Sequence, residues 1–409
     1  MKRKILFIVM FMLLITGCLN SNNEVNNEVN NETNDEDILV NDIDKVVDEK
    51  LKNMTIDEKI GQMMIVFYTS SKMDNTLRSA LTEVMPGGFI LFKDNITTYH
   101  DTLNFIKEIK ATSKIPMFIS IDQEGGSVQR LLSLQEDVSN IPYMKYVGDI
   151  NDVNFSKEVG RVIAEELRVF GINMDFAPVI DVYSNPSNTV IGKRSFGSNS
   201  DVVSNMGLSL ARGLRENGVI PVFKHFPGHG NTSVDSHEAL PILDKSKEEL
   251  YTLDLIPFKS AIEDNAEMIM IGHLAVPSIT GDNTPASLSK KLITGLLKEE
   301  MGYSGLVITD ALNMKALTNY YSQEEIYVKA IEAGVDILLM PSSSRGALKA
   351  VKDALVNGEI SEDRIDESVR KILKLKYEKI EKDYNNYLPK EYLNSSEHQE
   401  ILNRIIVNN

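Results

Sequence analysis

Cysteine is almost absent from this sequence: the 409 residues contain one, Cys18. A single thiol excludes an intramolecular disulfide framework and a thiolate metal cluster. Glycine (24) and proline (13) are too sparse for a fibrous or low-complexity chain. Positive charge is in deficit, with 43 Lys and Arg against 59 Asp and Glu, a net of −16. A surface this acidic repels a phosphate backbone, so nucleic acid is not an expected partner. The apolar run at the start, Ile5 to Ile15, falls short of the roughly 20 residues a bilayer-spanning helix needs. What remains, 42% hydrophobic and 25% charged residues, is ordinary for a globular protein and excludes wholesale disorder.

That short run follows Lys2-Arg3-Lys4 and precedes Thr16-Gly17-Cys18, the three parts of a secretory signal. Ile15-Thr16-Gly17-Cys18 resembles a bacterial lipobox. The resemblance implies that residues 1–17 are a signal peptide and that Cys18 is the lipidated N-terminus, anchoring the protein to the outer side of the cell membrane. A simple signal peptide or an uncleaved anchor is the rival reading. Residues 20–37 repeat Asn-Asn-Glu with almost nothing apolar, so 18–45 is expected to be a flexible linker. At the other end Ile365, Val369, Ile372, Leu373 and Leu375 recur at helical spacing behind Ser361, which predicts a closing helix with Ser361 as its N-cap. The polar tail 383–409 is expected to carry a last short helix bearing Leu402, Ile405 and Ile406.

Residues 46–382 show no linker and no shift in composition. Eight apolar runs recur, at 61–68, 87–92, 116–122, 172–182, 219–225, 268–276, 305–310 and 335–341. Runs that are apolar on every residue suit strands buried on both faces. Between them lie amphipathic segments such as 156–171 and 203–218, each ending at glycine. Eight βα repeats predict an α/β fold of the (β/α)8 barrel type, with a doubly wound sheet as the alternative. Polar residues gather at the C-terminal ends of the runs: Asp122, Asp181, Lys224, His225, His273 and Asp310. That is the face on which barrel enzymes build their sites.

The richest segment is 224–237, Lys-His-Phe-Pro-Gly-His-Gly-Asn-Thr-Ser-Val-Asp-Ser-His. Gly228 and Gly230 permit backbone angles other residues resist. Asp235 and His237, two apart, allow a carboxylate to fix an imidazole tautomer and stabilise its charged form, so that the ring can give or take a proton. The same residues leave open a metal site of His225, His229, His237 and Asp235, or a structural loop.

On these residues a family resemblance stands. The segment 224–241 resembles the signature loop of glycoside hydrolase family 3, in its β-N-acetylhexosaminidase branch. Asp122-Gln123-Glu124-Gly125-Gly126 with Val128-Gln129-Arg130 resembles the motif after the third strand, and 176–182 the fourth strand. Segments 192–197, 285–289 and 307–312 complete the likeness, in order, over roughly 50–380. It implies a retaining enzyme that removes terminal β-linked N-acetylhexosamine from wall fragments or chitin-type oligosaccharides. Asp310 would be the nucleophile and His237, supported by Asp235, the acid and base. Asp122, Arg130, Arg194, Lys224 and His225 would hold the sugar hydroxyls. No metal or organic cofactor is implied, and a monomer is expected. An imidazole in place of the second carboxyl departs from the common retaining pattern. Phosphorolysis of the same linkage and an inactive sugar-binding lipoprotein are the alternatives. A site built from the barrel alone is expected, closed by a mobile loop carrying His237.

Overall fold

A computed structural model describes residues 35–232 and 235–408. Cys18 and most of the 18–45 segment lie outside the described residues. From Asp42 onward the chain forms one unit around eight parallel strands: β1 Met64–Val66, β2 Gly88–Leu91, β3 Phe118–Ile121, β4 Met174–Asp175, β5 Ile220–Phe226, β6 Met268–Ile271, β7 Leu306–Thr309 and β8 Leu338–Leu339. Each pairs in parallel with its neighbour in sequence, and β8 returns to β1 through Met64↔Leu338 and Ile65↔Leu339. Closure between β7 and β8 rests on the parallel bridge Ile308↔Ile337 and on Ile337 N–H donating to Val307 O at 3.0 Å. This is the (β/α)8 barrel, and all eight expected runs supply its strands.

The strands are buried along their whole length, which is why they read as largely apolar runs. Helices shield the outside. The pair Val153–Val169 and Ser200–Glu216 are capped at their N-termini by Asp152 and Asn199. Left-handed glycines, Gly171 and Gly218, follow both. β4 is shorter than its 172–182 run because Pro178 has no N–H to give the ladder. Pairing resumes irregularly at Val179↔Lys224, which swings Asp181 in behind β5.

A helix spans Asp35–Asn53, so the folded part starts inside the expected linker. From Asp42 its hold on the barrel can be read. Val47 and Leu51, four apart, are buried against the core, and Asp44 and Asp48 pair with Lys374 and Arg370 of the closing helix Glu362–Lys379. Burial of two such side chains contributes about 1.5–3 kcal/mol each, the exposed ion pairs about 0–1, so the apolar stripe does the holding. The tail likewise docks on the barrel's helices. Helix Ser396–Asn408 buries Ile401, Ile405 and His398 against Val153–Val169, with His398 between Glu165 (2.7 Å) and Glu166 (3.5 Å). Among the described residues no helix is long and apolar enough to cross a membrane.

Candidate active site

At the C-terminal ends of the strands lies a pocket of about 750 Å³. Ile90, Met270 and Leu339, from β2, β6 and β8, give it an apolar floor. Asp122, Arg130, Arg194, Lys224, His225, His237 and Asp310 all line it. Of the residues singled out from sequence, Asp181 and His273 are buried behind the lining, and Asp235 stands behind it bound to His237.

One wall is a web of charge. Asp122 follows β3 directly, and the next residues fold back as a hairpin, Gln123–Gly125 against Val128–Gln129. Gly125 (φ 104°) and Gly126 (φ 58°) make its turn; a Cβ on Gly126 would sit 2.1 Å from the Tyr143 ring. Extended backbone points residues two apart the same way, so Glu124 joins Asp122 in facing the pocket. Lys224, on β5, reaches Asp122 Oδ1 at 2.9 Å and Glu124 Oε1 at 2.6 Å. Burial works to lower the Lys224 pKa, but these carboxylates outweigh it and raise it. Glu124, 2% exposed, is held well below the usual carboxylate range: Arg194 and Lys224 overcome its desolvation.

Arg194 clamps Glu124 with both prongs, Nε to Oε2 at 2.7 Å and Nη2 to Oε1 at 2.8 Å, and gives Nη1 to Val190 O. Most of its donors are therefore spent inside the protein, and its first task is to fix Glu124. Arg130 is less committed. Its Nη2 touches Asp122 at 3.4 Å, its guanidinium lies over Phe92, and its Nε has no partner among the described residues. Glu124 was not selected from sequence; its spacing of two from Asp122 was the available signal.

The second wall is built on Asp181, which is fully buried. Its Oδ2 accepts from His225 Nδ1 at 2.7 Å, and its Oδ1 accepts from the backbone N–H of His229 at 2.7 Å and of His225 at 3.2 Å. Burial opposes ionisation, but His225 and these N–H groups hold the carboxyl below its ordinary value. His225 thus carries its proton on Nδ1 and turns Nε2 outward. His229 is buried and neutral-favouring. Thr232 gives its hydroxyl hydrogen to His229 O (3.0 Å), so it accepts from Nδ1 (2.7 Å), and Nε2 is left to accept from Ser236 (3.4 Å). Asp181, Thr232 and Asp235 turn the rings of His225, His229 and His237 to separate partners. Among the described residues no three His, Cys, Asp or Glu converge as a metal site. Gly230 corrects an expectation: its φ is not positive, and it is needed because a Cβ would lie 1.9 Å from Val182 O.

Across the pocket Asp310 follows β7. Its N–H donates to Ile271 O at 2.9 Å, and its Oδ1 accepts from Ala311 N–H at 2.7 Å. Burial would raise its pKa; His273, His225, the Ala311 N–H and Lys224 outweigh that and lower it. His273 is itself kept neutral-favouring by burial. At the mouth His237 is 69% exposed, with Nδ1 2.9 Å from Asp235 Oδ1. Asp235 is lowered against its own desolvation by the His237 N–H and ring. Their loop is tied to the Asp310 side, where Ala316 N–H donates to Ser236 O at 3.2 Å.

Comparison with known proteins adds a lineage. Residues 55–375 match the model of the glycosyl hydrolase family 3 N terminal domain. The chain is 32% identical to beta-hexosaminidase A of Pseudoalteromonas piscicida, over 79% of this chain, and spans 61% of that protein's length. It is 34% identical to beta-hexosaminidase LpqI of Mycobacterium tuberculosis, covering 78% of this chain and 82% of that one. Its fold superposes with a TM-score of 0.81 on a glycoside hydrolase family 3 beta-N-acetylglucosaminidase from Paenibacillus sp., at 36% identity over 86% of this chain and 68% of the other. With the barrel, the ordered motifs and this match over most of its length, the chain belongs to glycosyl hydrolase family 3.

Proposed function

We propose that this protein is a retaining exo-β-N-acetylglucosaminidase that removes terminal β-linked N-acetylglucosamine from wall fragments or chitin-type oligosaccharides. One observation carries the reading: a single pocket holds an ionised, half-buried carboxylate at Asp310 and, at its mouth, the His237 imidazole backed by Asp235. The names of the relatives support the sugar; they are beta-hexosaminidases and a beta-N-acetylglucosaminidase.

In this reading Asp310 Oδ2, the oxygen not engaged by Ala311, attacks the anomeric carbon. The bond to the leaving oxygen breaks, and that oxygen takes the proton from His237 Nε2. The sugar is then an ester of Asp310. A water loses its proton to the now neutral Nε2 and attacks the same carbon, the ester bond breaks, and Asp310 leaves as a carboxylate. Two inversions restore the β configuration. An imidazole suits both halves because it changes charge near neutral pH. Asp122, Lys224, Arg130 and the His225 Nε2 meet the ring hydroxyls, and Arg194 holds Glu124 in register behind them.

The decisive experiment follows the first-formed product of an aryl β-N-acetylglucosaminide by NMR, and traps the ester with a fluorinated sugar. A β product and label on Asp310 are expected; an α product, or label on Asp122 or Asp181, refutes the mechanism. Repeating the reaction with inorganic phosphate separates hydrolysis from phosphorolysis, since a sugar phosphate would replace the free sugar. The same proposal places the enzyme outside the cytoplasmic membrane, anchored through lipid on Cys18. Cys18→Ala should abolish lipid labelling, and unchanged labelling refutes the anchor.

A further inference from the structure

The hairpin of residues 123–129 has two sides. Glu124 and Val128 line the catalytic pocket, while Gly126 at the turn lines a second groove of about 1210 Å³. The groove runs between the 138–146 loop and helix Ser396–Asn408, so the docked tail forms one bank. None of its 12 lining residues is charged, although charged residues make up 25% of the chain. Two are tyrosines, Tyr143 and Tyr146, both half-buried, with ring centroids 6.0 Å apart and planes at 90°. Four are amides: Asn140, Asn394, Gln399 and Asn403.

The polar groups are short of partners. Gln399 Nε2 meets Asn394 O at 3.4 Å, and Asn140 Oδ1 accepts from Gln129 at 3.1 Å. Among the described residues the Asn394 and Asn403 side-chain amides and the Tyr143 hydroxyl make no hydrogen bond. An apolar occupant would leave such groups unpaired, at about 1–3 kcal/mol each where buried. A cationic polymer would find no counter-charge in the lining. A sugar ring has an apolar C–H face for a tyrosine and a rim of hydroxyls for amides that both donate and accept. Lys193 Nζ donates to the Tyr146 hydroxyl at 3.0 Å and lies over both rings, while the next residue, Arg194, clamps Glu124 in the pocket. Groove and pocket thus share the hairpin and the 193–194 link.

We propose that this groove is a second binding site for an uncharged glycan chain, holding polymeric substrate beside the pocket that trims its end. The proposal rests on the glycosidase reading, and binding without turnover tests it separately. Chitin particles are the probe, and retention of the full chain on them is the readout. Tyr146→Ala removes one ring, and Asn403→Trp fills the groove from an exposed position. Each should lower retention at least tenfold, with turnover of a small aryl glycoside unchanged within twofold. Asp122→Ala, in the pocket, should leave retention in place. Retention unchanged in both groove variants, or lost in Asp122→Ala alone, overturns the proposal. So does a dimer in sedimentation that Asn403→Trp dissociates, since a second copy would then fill the groove. Groove-dependent retention without any aryl turnover would uphold the groove and refute the glycosidase reading.

Discussion

Asp181 Oδ2 lies 2.7 Å from His225 Nδ1, deep behind the pocket wall, and its Oδ1 is shared by the N–H groups of His225 and His229. One buried carboxylate therefore sets both a side-chain tautomer and the course of the loop that leads to His237. Asp181→Asn keeps the shape and removes the charge. Activity should fall by one to two orders of magnitude and stability by about 2–4 kcal/mol, because an amide cannot accept from all three donors. Paired measurement of kcat/KM and chemical denaturation checks both; an unchanged kcat would show that the His225 tautomer does not matter.

Asp310→Ala should cost at least three orders of magnitude in turnover while leaving the melting temperature nearly unchanged. The side chain stands at the rim and packs no core. Its depressed pKa also fixes a pH limb: the carboxylate form survives below the ordinary value near 4, so the acid-side loss of kcat/KM should fall below that pH. A limb near pH 6 would assign it to another group.

His237→Ala should slow release of poor leaving groups by roughly 10²–10⁴ and spare activated aryl ones, which need no proton. Asp235→Asn should move rates the same way by a smaller factor. Equal losses for both substrate classes would place His237 outside proton transfer.

Asp175, on β4, carries a stability signature. Burial pushes its carboxyl up to about 8, while Oδ1 accepts from Gln123 N–H at 2.9 Å. The folded protein then holds a proton that the unfolded chain releases near pH 4. This group's contribution to stability is fully present below that value and is lost as pH rises toward 8, by about 2 kcal/mol between pH 6 and 8. Asp175→Asn should flatten this decline. Denaturation at the two pH values decides; parallel slopes for variant and wild type would mean the carboxyl is ionised.

The eight strands were legible because strands covered on both faces are mostly apolar, with polar residues such as Asp175, Lys224, His225 and Thr309 kept toward their C-terminal ends. The pocket was legible because its residues sit just past those runs. Two other elements were harder to read. Glu124 looks like a neighbour of Asp122 until the hairpin's alternation is known. The helix from Asp35 begins beside an Asn-Glu repeat, and the stripe of Val47 and Leu51 becomes informative only with the closing helix to pack on. Gly230 was read for its flexibility, whereas close approach to Val182 O is what demands it. Such an approach depends on tertiary structure that spacing does not encode.

The near-complete enclosure of Lys224 and Glu124, 3% and 2% exposed, bears on the medium in which the enzyme works. Dissolved ions screen charges they can approach, over about 10 Å at 0.1 M, and a pair sealed against the barrel mouth is largely beyond their reach. The catalytic constants should accordingly hold across brackish and fresh conditions, while the exposed pairs of Asp44 and Asp48 with the closing helix weaken in brine.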